Sequence, residues 1–388
     1  MHWTILRNIS LLHWAIMDLS WGTPPFLVKR FPFLDWMRGL AVVIMIQCHT
    51  FNSFARMDLR EGGPYVLSQF VGGMAAPLFL FMAGMTLAFQ MDSLERRELN
   101  PGRRWLISLR RAGYILGIAF AFRISNWVAS LPHADLHEIA KVDILNCMGV
   151  GMAALSLAAV FDAKGRARFA VAAALGIAVA APVVSALPWN GAPSLLREYL
   201  VPIAGRGHFA FFPCAAYIGF GLAAGTLVKR TGADRFERLM QWSVLIGFAL
   251  VFTGQYFSNL PYSLYRQSSF WTDGPTLILI RAGISLLLMS GAYLWTEYCV
   301  GAGWSWMQCL GRNSLMVYWV HVMLVYGNTA KALKGWLSIP QTALATLGVI
   351  ALMVALSAAW IWWKARKAER WKAATTVASG SPQALKAY

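Results

Sequence analysis

Apolar residues run along this chain in long blocks separated by short polar stretches, with no strand-like alternation inside the blocks. Runs long enough to cross a bilayer as helices occur at about 34 to 54, 65 to 91, 112 to 130, 142 to 161, 169 to 188, 209 to 228, 239 to 258, 275 to 296, 306 to 328 and 340 to 363. The pattern predicts an all-α, polytopic transmembrane bundle of about ten helices. Residues 1–30 read as an N-terminal extension, 31–363 as one transmembrane domain and 364–388 as a basic cytoplasmic tail. His13 and Asp18 interrupt the early apolar stretch and no small-residue cleavage site follows it, which argues against a signal peptide.

Composition agrees with a bilayer rather than water. Of 388 residues, 58% are hydrophobic and 13% charged, where soluble domains carry about 25% charged residues. The net charge of +17 is therefore not read as a nucleic-acid footprint. It follows membrane sidedness instead, because short cytoplasmic loops are enriched in Lys and Arg. With both termini cytoplasmic, the inner segments hold 22 cations, among them Arg7, Lys29, Arg30, the six Arg between Arg96 and Arg111, and six in the tail. The outer loops hold 8: Arg56, Arg60, Lys141, Arg197, Arg206, Arg266, Lys331 and Lys334. The five cysteines sit in or beside apolar runs without CxxC or Cys/His spacing, so no disulfide framework and no metal site is expected.

Charged and polar side chains inside the runs carry the functional signal, since each costs roughly 2.5–3.5 kcal/mol at the bilayer centre unless paired or wet. Asp35, Arg38, His49, Arg123, Asp143, Arg281, Arg312, Asn313 and His321 all lie within or against predicted spans. Asp35 and Arg38, three apart, share a helix face and can pair, or offer Arg38 to a phosphate. His49 shares that face but sits about 21 Å away along the axis. Ser314, Tyr318 and His321, spaced by four and three, form one polar stripe. Arg312, near its helix start, reads as a side chain that snorkels to water. Helices 1 and 9 both run outward, so the two histidines are expected in the outer half of the membrane, lining one pocket with Tyr318 and opening toward Arg38.

LDWMRGLAVVIMIQCH (Leu34 to His49) together with GRNSLMVYWVH (Gly311 to His321) resembles the membrane acyltransferases related to the heparan-alpha-glucosaminide N-acetyltransferase catalytic domain. The first motif is also similar to the opening helix of the acyltransferase-3 family, with an Asp, an Arg three later and a His fourteen later. PLFLFMAGMTLAF (Pro77 to Phe89), SLRRAGYILGI (Ser108 to Ile118), KVDILNCMGVGM (Lys141 to Met152) and FPCAAYIGFGLAAG (Phe212 to Gly225) fall between them in the family's order, so the resemblance spans about residues 30 to 363. It implies transfer of an acetyl or other short acyl group from cytoplasmic acetyl-CoA or another acyl-CoA to a glycan or amino-sugar acceptor at the outer side of a cell membrane. Lysosomal members resemble a pattern with a His, then Trp and Gly, after helix 1. The segment Arg56 to Tyr65 here has no His, so the catalytic assignment rests on His49.

Acyl transfer needs a base, donors for the developing oxyanion and a route for an anionic donor. His49 is assigned as base or transiently acylated nucleophile. Tyr318, Ser314 and Asn313 are assigned as oxyanion donors or as groups that orient His321. Arg38 with Asp35, and Arg103, Arg104, Arg110 and Arg111 of the Arg-rich loop, are assigned to the CoA phosphates. Three competing readings share the bundle. A secondary transporter would show similar helices and buried charges but also an internal repeat, which is not evident. A non-catalytic scaffold would keep a polar cavity without needing His49. An enzyme acting on a lipid or peptidoglycan acceptor would keep the chemistry and differ in its outer loops.

Overall fold

The computed structural model describes residues 31–131, 135–203, 209–301 and 303–379. The expected extension at 1–30, with Arg7, Lys29 and Arg30, lies outside them, as does Arg206. The bundle belongs to one compact unit that begins at Phe33.

Fourteen α-helices lie within the described residues: α1 (Pro32–Phe54), α2 (Gly63–Gly72), α3 (Ala75–Arg96), α4 (Pro101–Ala129), α5 (His137–Ala140), α6 (Ile144–Leu155), α7 (Ala163–Ser185), α8 (Ser194–Leu200), α9 (Phe211–Arg230), α10 (Phe236–Ser258), α11 (Pro275–Leu294), α12 (Trp306–Arg312), α13 (Ser314–Tyr326) and α14 (Ile339–Ser379). The fold is all-α, and every apolar run of the sequence is helical. Seven helical segments are long and apolar enough to cross a membrane. The runs at 142–161 and 306–328 are shorter apolar helices, Ile144–Val160 and Ser314–Tyr326.

Three boundaries differ from the hydropathy reading, each for a local reason. The run at 65–91 is two helices, because Gly73 and Met74 break it between α2 and α3. The run at 306–328 breaks at Asn313. Of the segment Arg96 to Arg111 expected as a loop, Arg96 ends α3, residues 97–100 connect the helices, and Pro101 to Arg111 are the first three turns of α4. Asn100 accepts a hydrogen bond from the Arg103 N–H at 2.8 Å, and Pro101 follows at the position where a missing N–H costs nothing. Hydropathy cannot see such a start, because these turns lie beyond the apolar stretch.

Among the described residues, two large apolar clusters hold the bundle. One joins α3, α4, α6, α7 and α9 around Leu87, Met152, Ala170 and Leu222. The other joins α1, α12, α13 and α14 around Ile46, Leu310, Val317 and Met353. Phe79 and Tyr318 pack against both clusters, so they mark the seam between them. On the second side, α1 and α12 touch backbone to backbone: a Cβ on Gly39 would sit 1.9 Å from the Met307 carbonyl oxygen, and one on Gly311 1.8 Å from that of Asp35. The contact seats Asp35 between two guanidiniums, Arg38 at 2.9 Å and Arg312 at 3.5 Å. Arg312 thus pairs with Asp35, although its side chain also reaches solvent. At the same end of the bundle Asp92 and Glu95 of α3 bind Arg96, Arg104, Arg166 and Arg230, which ties α3 to α4, α7 and α9.

At the far end α1 is sewn to the segment before α14. Leu337 N–H donates to Phe54, Arg56 N–H to Leu337 and Gly335 N–H to Ser53, each at 3.0 Å.

Candidate active site

The helix crossing at Gly39 and Gly311 brings α1 and α13 side by side, and their histidines meet. His49 Nδ1 lies 3.0 Å from His321 Nε2, with the rings stacked at 5.2 Å between centroids. His321 is fully buried, and its Nδ1 lies 2.7 Å from the Val317 carbonyl oxygen one turn earlier. A carbonyl only accepts, so the Nδ1 of His321 carries the proton and its neutral Nε2 is an acceptor. His49 must then donate from Nδ1, which leaves its Nε2 with a free lone pair. The tautomers follow from hydrogen-bond direction alone. The result is a relay, Val317 C=O to His321 to His49, that ends in a basic nitrogen.

That nitrogen belongs to a residue lining a cavity of about 690 Å³. Tyr318 and Tyr326 line the cavity too; the Tyr326 ring meets His49 edge-on at 5.4 Å, and its hydroxyl accepts from Asn52 at 3.1 Å. Arg123 and Asp143, 3.3 Å apart, stand on another wall, where Asp143 also caps α6 by accepting from the Leu145 and Asn146 N–H groups. Arg281 of α11 completes the charged set.

A second cavity of about 270 Å³ lies toward the Asp35 end and is lined by Arg38, Arg111, Thr86 and Ser314. Met45, Phe79, Ile144 and Tyr318 line both cavities. They form the partition between a small basic chamber and a large polar one. Among the described residues, the Tyr318 hydroxyl in this partition makes no hydrogen bond to protein, and Arg111 faces no carboxylate; it donates to the Thr86 carbonyl at 3.2 Å and to Gln90 at 3.1 Å.

The residues singled out by sequence are thus distributed as follows. His49, His321 and Tyr318 come together, with the Tyr318 and His321 rings 6.0 Å apart. His321 stands behind His49 rather than lining the cavity. Ser314 belongs to the small chamber, and Asn313 is occupied at the helix break, donating to the Cys309 and Ser357 carbonyls at 3.3 Å each. Arg38 and Arg111 face the small chamber, with Asp35 behind Arg38. Arg104 is turned into the ionic cluster with Glu95 and donates to the Val160 carbonyl, while Arg103 and Arg110 are exposed on α4. Sequence reasoning gave no role to Tyr326, Gln69 or Tyr217. It noted Arg123, Asp143 and Arg281 only as buried charges, and that cost of burial was the one signal available for them.

Comparison with known proteins bears on the family of the chain. No curated relative matches the chain. The family described as Heparan-alpha-glucosaminide N-acetyltransferase, catalytic, matches residues 30–259. This stretch includes Arg38, His49, Arg111, Arg123 and Asp143 and ends before Arg281, Tyr318 and His321. It covers more than half of the chain, which with its long apolar helices is a multi-pass membrane protein belonging to the heparan-alpha-glucosaminide N-acetyltransferase catalytic family.

Proposed function

We propose that the protein is an acyl-CoA-dependent acyltransferase that moves an acetyl or other short acyl group from the cytoplasmic face to an acceptor at the outer face, a glycan or amino sugar in the first instance. The observation that carries the reading is the pair of chambers divided at Tyr318, with the unshared nitrogen of His49 belonging to the larger one. The small chamber is flanked by the Arg-rich start of α4, which carries Arg103, Arg104, Arg110 and Arg111, and short cationic segments stay in the cytoplasm. Its size suits a thioester arm rather than a nucleotide. Arg38, held by Asp35, and Arg111, which lacks a counter-charge, suit the phosphates at its mouth.

In this scheme the thioester carbonyl reaches the partition and the acceptor waits beside His49. An acceptor O–H or N–H gives its proton to His49 Nε2 as its O or N attacks the carbonyl carbon. The Tyr318 hydroxyl donates to the developing oxyanion. Collapse of the tetrahedral adduct breaks the C–S bond, and the proton passes from His49 to the departing sulfur. The products are free CoA and an ester or amide. His321 positions the base and keeps its tautomer, as the orienting carboxylate does in a hydrolytic triad. Purified protein offered acetyl-CoA with glucosamine or a hydroxylated oligosaccharide should release CoA thiol and yield the acetylated acceptor by mass spectrometry. His49→Ala should do neither. Thiol release that is independent of every acceptor and survives His49→Ala would overturn the reading.

A further inference from the structure

The acceptor chamber is unbalanced in charge. It holds two guanidiniums, Arg123 and Arg281, and one carboxylate, Asp143, which is already bound to Arg123 at 3.3 Å. Among the described residues no carboxylate lies within ion-pairing distance of Arg281; its polar neighbours include the Tyr217 hydroxyl and the Cys214 thiol. A guanidinium keeps its charge at any accessible pH, so a half-buried one without a counter-ion is a site for an anion supplied from outside.

Arg281 also stands at a junction. With Phe270, Trp271 and Leu277 it lines both the acceptor chamber and a separate recess of about 410 Å³. Apart from Arg281, that recess is walled by apolar side chains, Phe70, Met74, Ile280 and Ile284 among them, and by the polar last turn of α10. Its surroundings are exposed and apolar: Val66, Leu67, Phe70 and Val71 on α2, Trp271, and Phe252 and Tyr256 on α10 are all more than 40% exposed. Such a surface faces lipid in a membrane protein. The break between α2 and α3 fixes the guanidinium here, since a Cβ on Gly73 would lie 2.8 Å from Arg281 Nη2. Three features therefore occur in sequence from the lipid inward: an apolar recess, an unneutralised guanidinium, and a polar chamber that ends at a base.

We infer that the acceptor is a membrane lipid whose head group is joined to its tail through a phosphate. The tail occupies the recess, the phosphate binds Arg281, and the head group brings a hydroxyl or amine to His49. The inference rests on the acyltransferase reading and names its acceptor class. Atoms balance as above: the head-group O–H or N–H is replaced by O–acyl or N–acyl, its proton leaves with the sulfur, and free CoA is released.

The test uses the full chain in bilayers of stated composition with labelled acetyl-CoA. Phosphatidylglycerol offers hydroxyls and phosphatidylethanolamine an amine, whereas phosphatidylcholine has the phosphate and tails but nothing to acylate. Label is expected in the lipid extract with either of the first two and not with phosphatidylcholine alone. Arg281→Gln and, as a second variant that fills the recess, Ile284→Trp should each cut lipid labelling by about tenfold or more. Binding is read separately by native mass spectrometry. The parent should retain phosphatidylglycerol over a phosphate-free galactosyl diacylglycerol, and Arg281→Gln should lose that preference. If glucosamine is acetylated while no lipid is labelled and no phosphate preference is seen, the lipid inference falls and the acyltransferase reading stands. If no acceptor of any kind yields product but the phosphate preference disappears in Arg281→Gln, the lipid site stands and the catalytic reading fails.

Discussion

His321 makes no contact with either chamber, yet its replacement should be nearly as instructive as that of the base. In the relay it accepts from His49 Nδ1 at 3.0 Å and donates to the Val317 carbonyl at 2.7 Å. His321→Ala removes the acceptor, leaves the His49 N–H without its partner, and opens a void the size of an imidazole. The Val317 carbonyl loses less, because it lies one turn before residue 321 and remains in the helix ladder. An unpaired buried donor costs about 1–3 kcal/mol. The same quantity is what holds the His49 ring in its reactive tautomer, and about 1–3 kcal/mol of lost orientation is roughly 5- to 150-fold in rate. His49→Ala should cost more, about 10²- to 10⁴-fold, because the base itself is gone. His321→Gln discriminates further. A carboxamide can accept the His49 N–H but cannot titrate, so it should restore most of the lost rate if His321 orients and none if His321 carries the proton. The assay is acceptor-dependent CoA release by all four proteins, with the melting temperature in detergent as the folding control. His321→Ala within about threefold of the parent would refute the relay. His321→Ala as inactive as His49→Ala, with no rescue by Gln, would move the proton-transfer role to His321.

Other outcomes follow from the same geometry. Gly39→Ala and Gly311→Ala each drive a Cβ to within 2 Å of a facing carbonyl oxygen, and should each destabilise by about 1–3 kcal/mol and lower activity, read as a fall in melting temperature. Gly113→Ala or Gly176→Ala, where nothing lies within 4 Å, should instead be neutral or stabilising by about 0.5–1 kcal/mol. Arg111→Gln should raise the KM for acyl-CoA about tenfold with a smaller change in kcat, while Arg103→Ala, exposed on α4, should leave both within about twofold. With the exposed Cys299 replaced by Ser, Arg103→Cys should resist an impermeant thiol reagent added from the outer side of intact cells; labelling there would reverse the assigned sidedness.

The sequence carried the fold well where burial in lipid is the cause, and poorly where a local break is. Ten apolar runs became helices because each must satisfy its own backbone in a bilayer. The breaks at Gly73 and Asn313 are hidden from hydropathy, since a window of spanning length averages over each break and the apolar residues on both sides of it. The helical start of α4 was hidden for the opposite reason, its arginines being too polar for a span although Asn100 and Pro101 signal a helix N-terminus. Within the site, periodicity supplied the stripe of Ser314, Tyr318 and His321, but it could not show that the break turns Ser314 toward the other chamber. Nor could it assign Arg281 or Tyr326, whose partners stand on helices far away in sequence. Asp35 was legible as an ion-pairing residue from its spacing to Arg38; its second partner, Arg312, depends on a contact between helices that only the structure supplies.

One relation links the two motifs to the chemistry more closely than their residue types do. Gly39 and His49 are ten residues apart, and so are Gly311 and His321. The glycines are where α1 and α12 touch, so both segments leave one point; α1 rises about 15 Å over its ten residues, and the other passes through the break at Asn313 into α13. The two histidines, separated by 272 positions, arrive at the same depth, where their nitrogens meet at 3.0 Å. The glycine crossing is thus the origin of a ruler, and Asp35 locks that origin by holding Arg38 of one motif and Arg312 of the other. A single residue inserted in either arm would turn its histidine by about 100° and raise it about 1.5 Å. That is enough to part the pair, and it would also move the wall residues the arms carry, Met45 and Cys48 on one and Ser314 and Tyr318 on the other. The motif spacing therefore encodes the relay itself, and the glycines at its base are as necessary to His49 as the histidine that supports it.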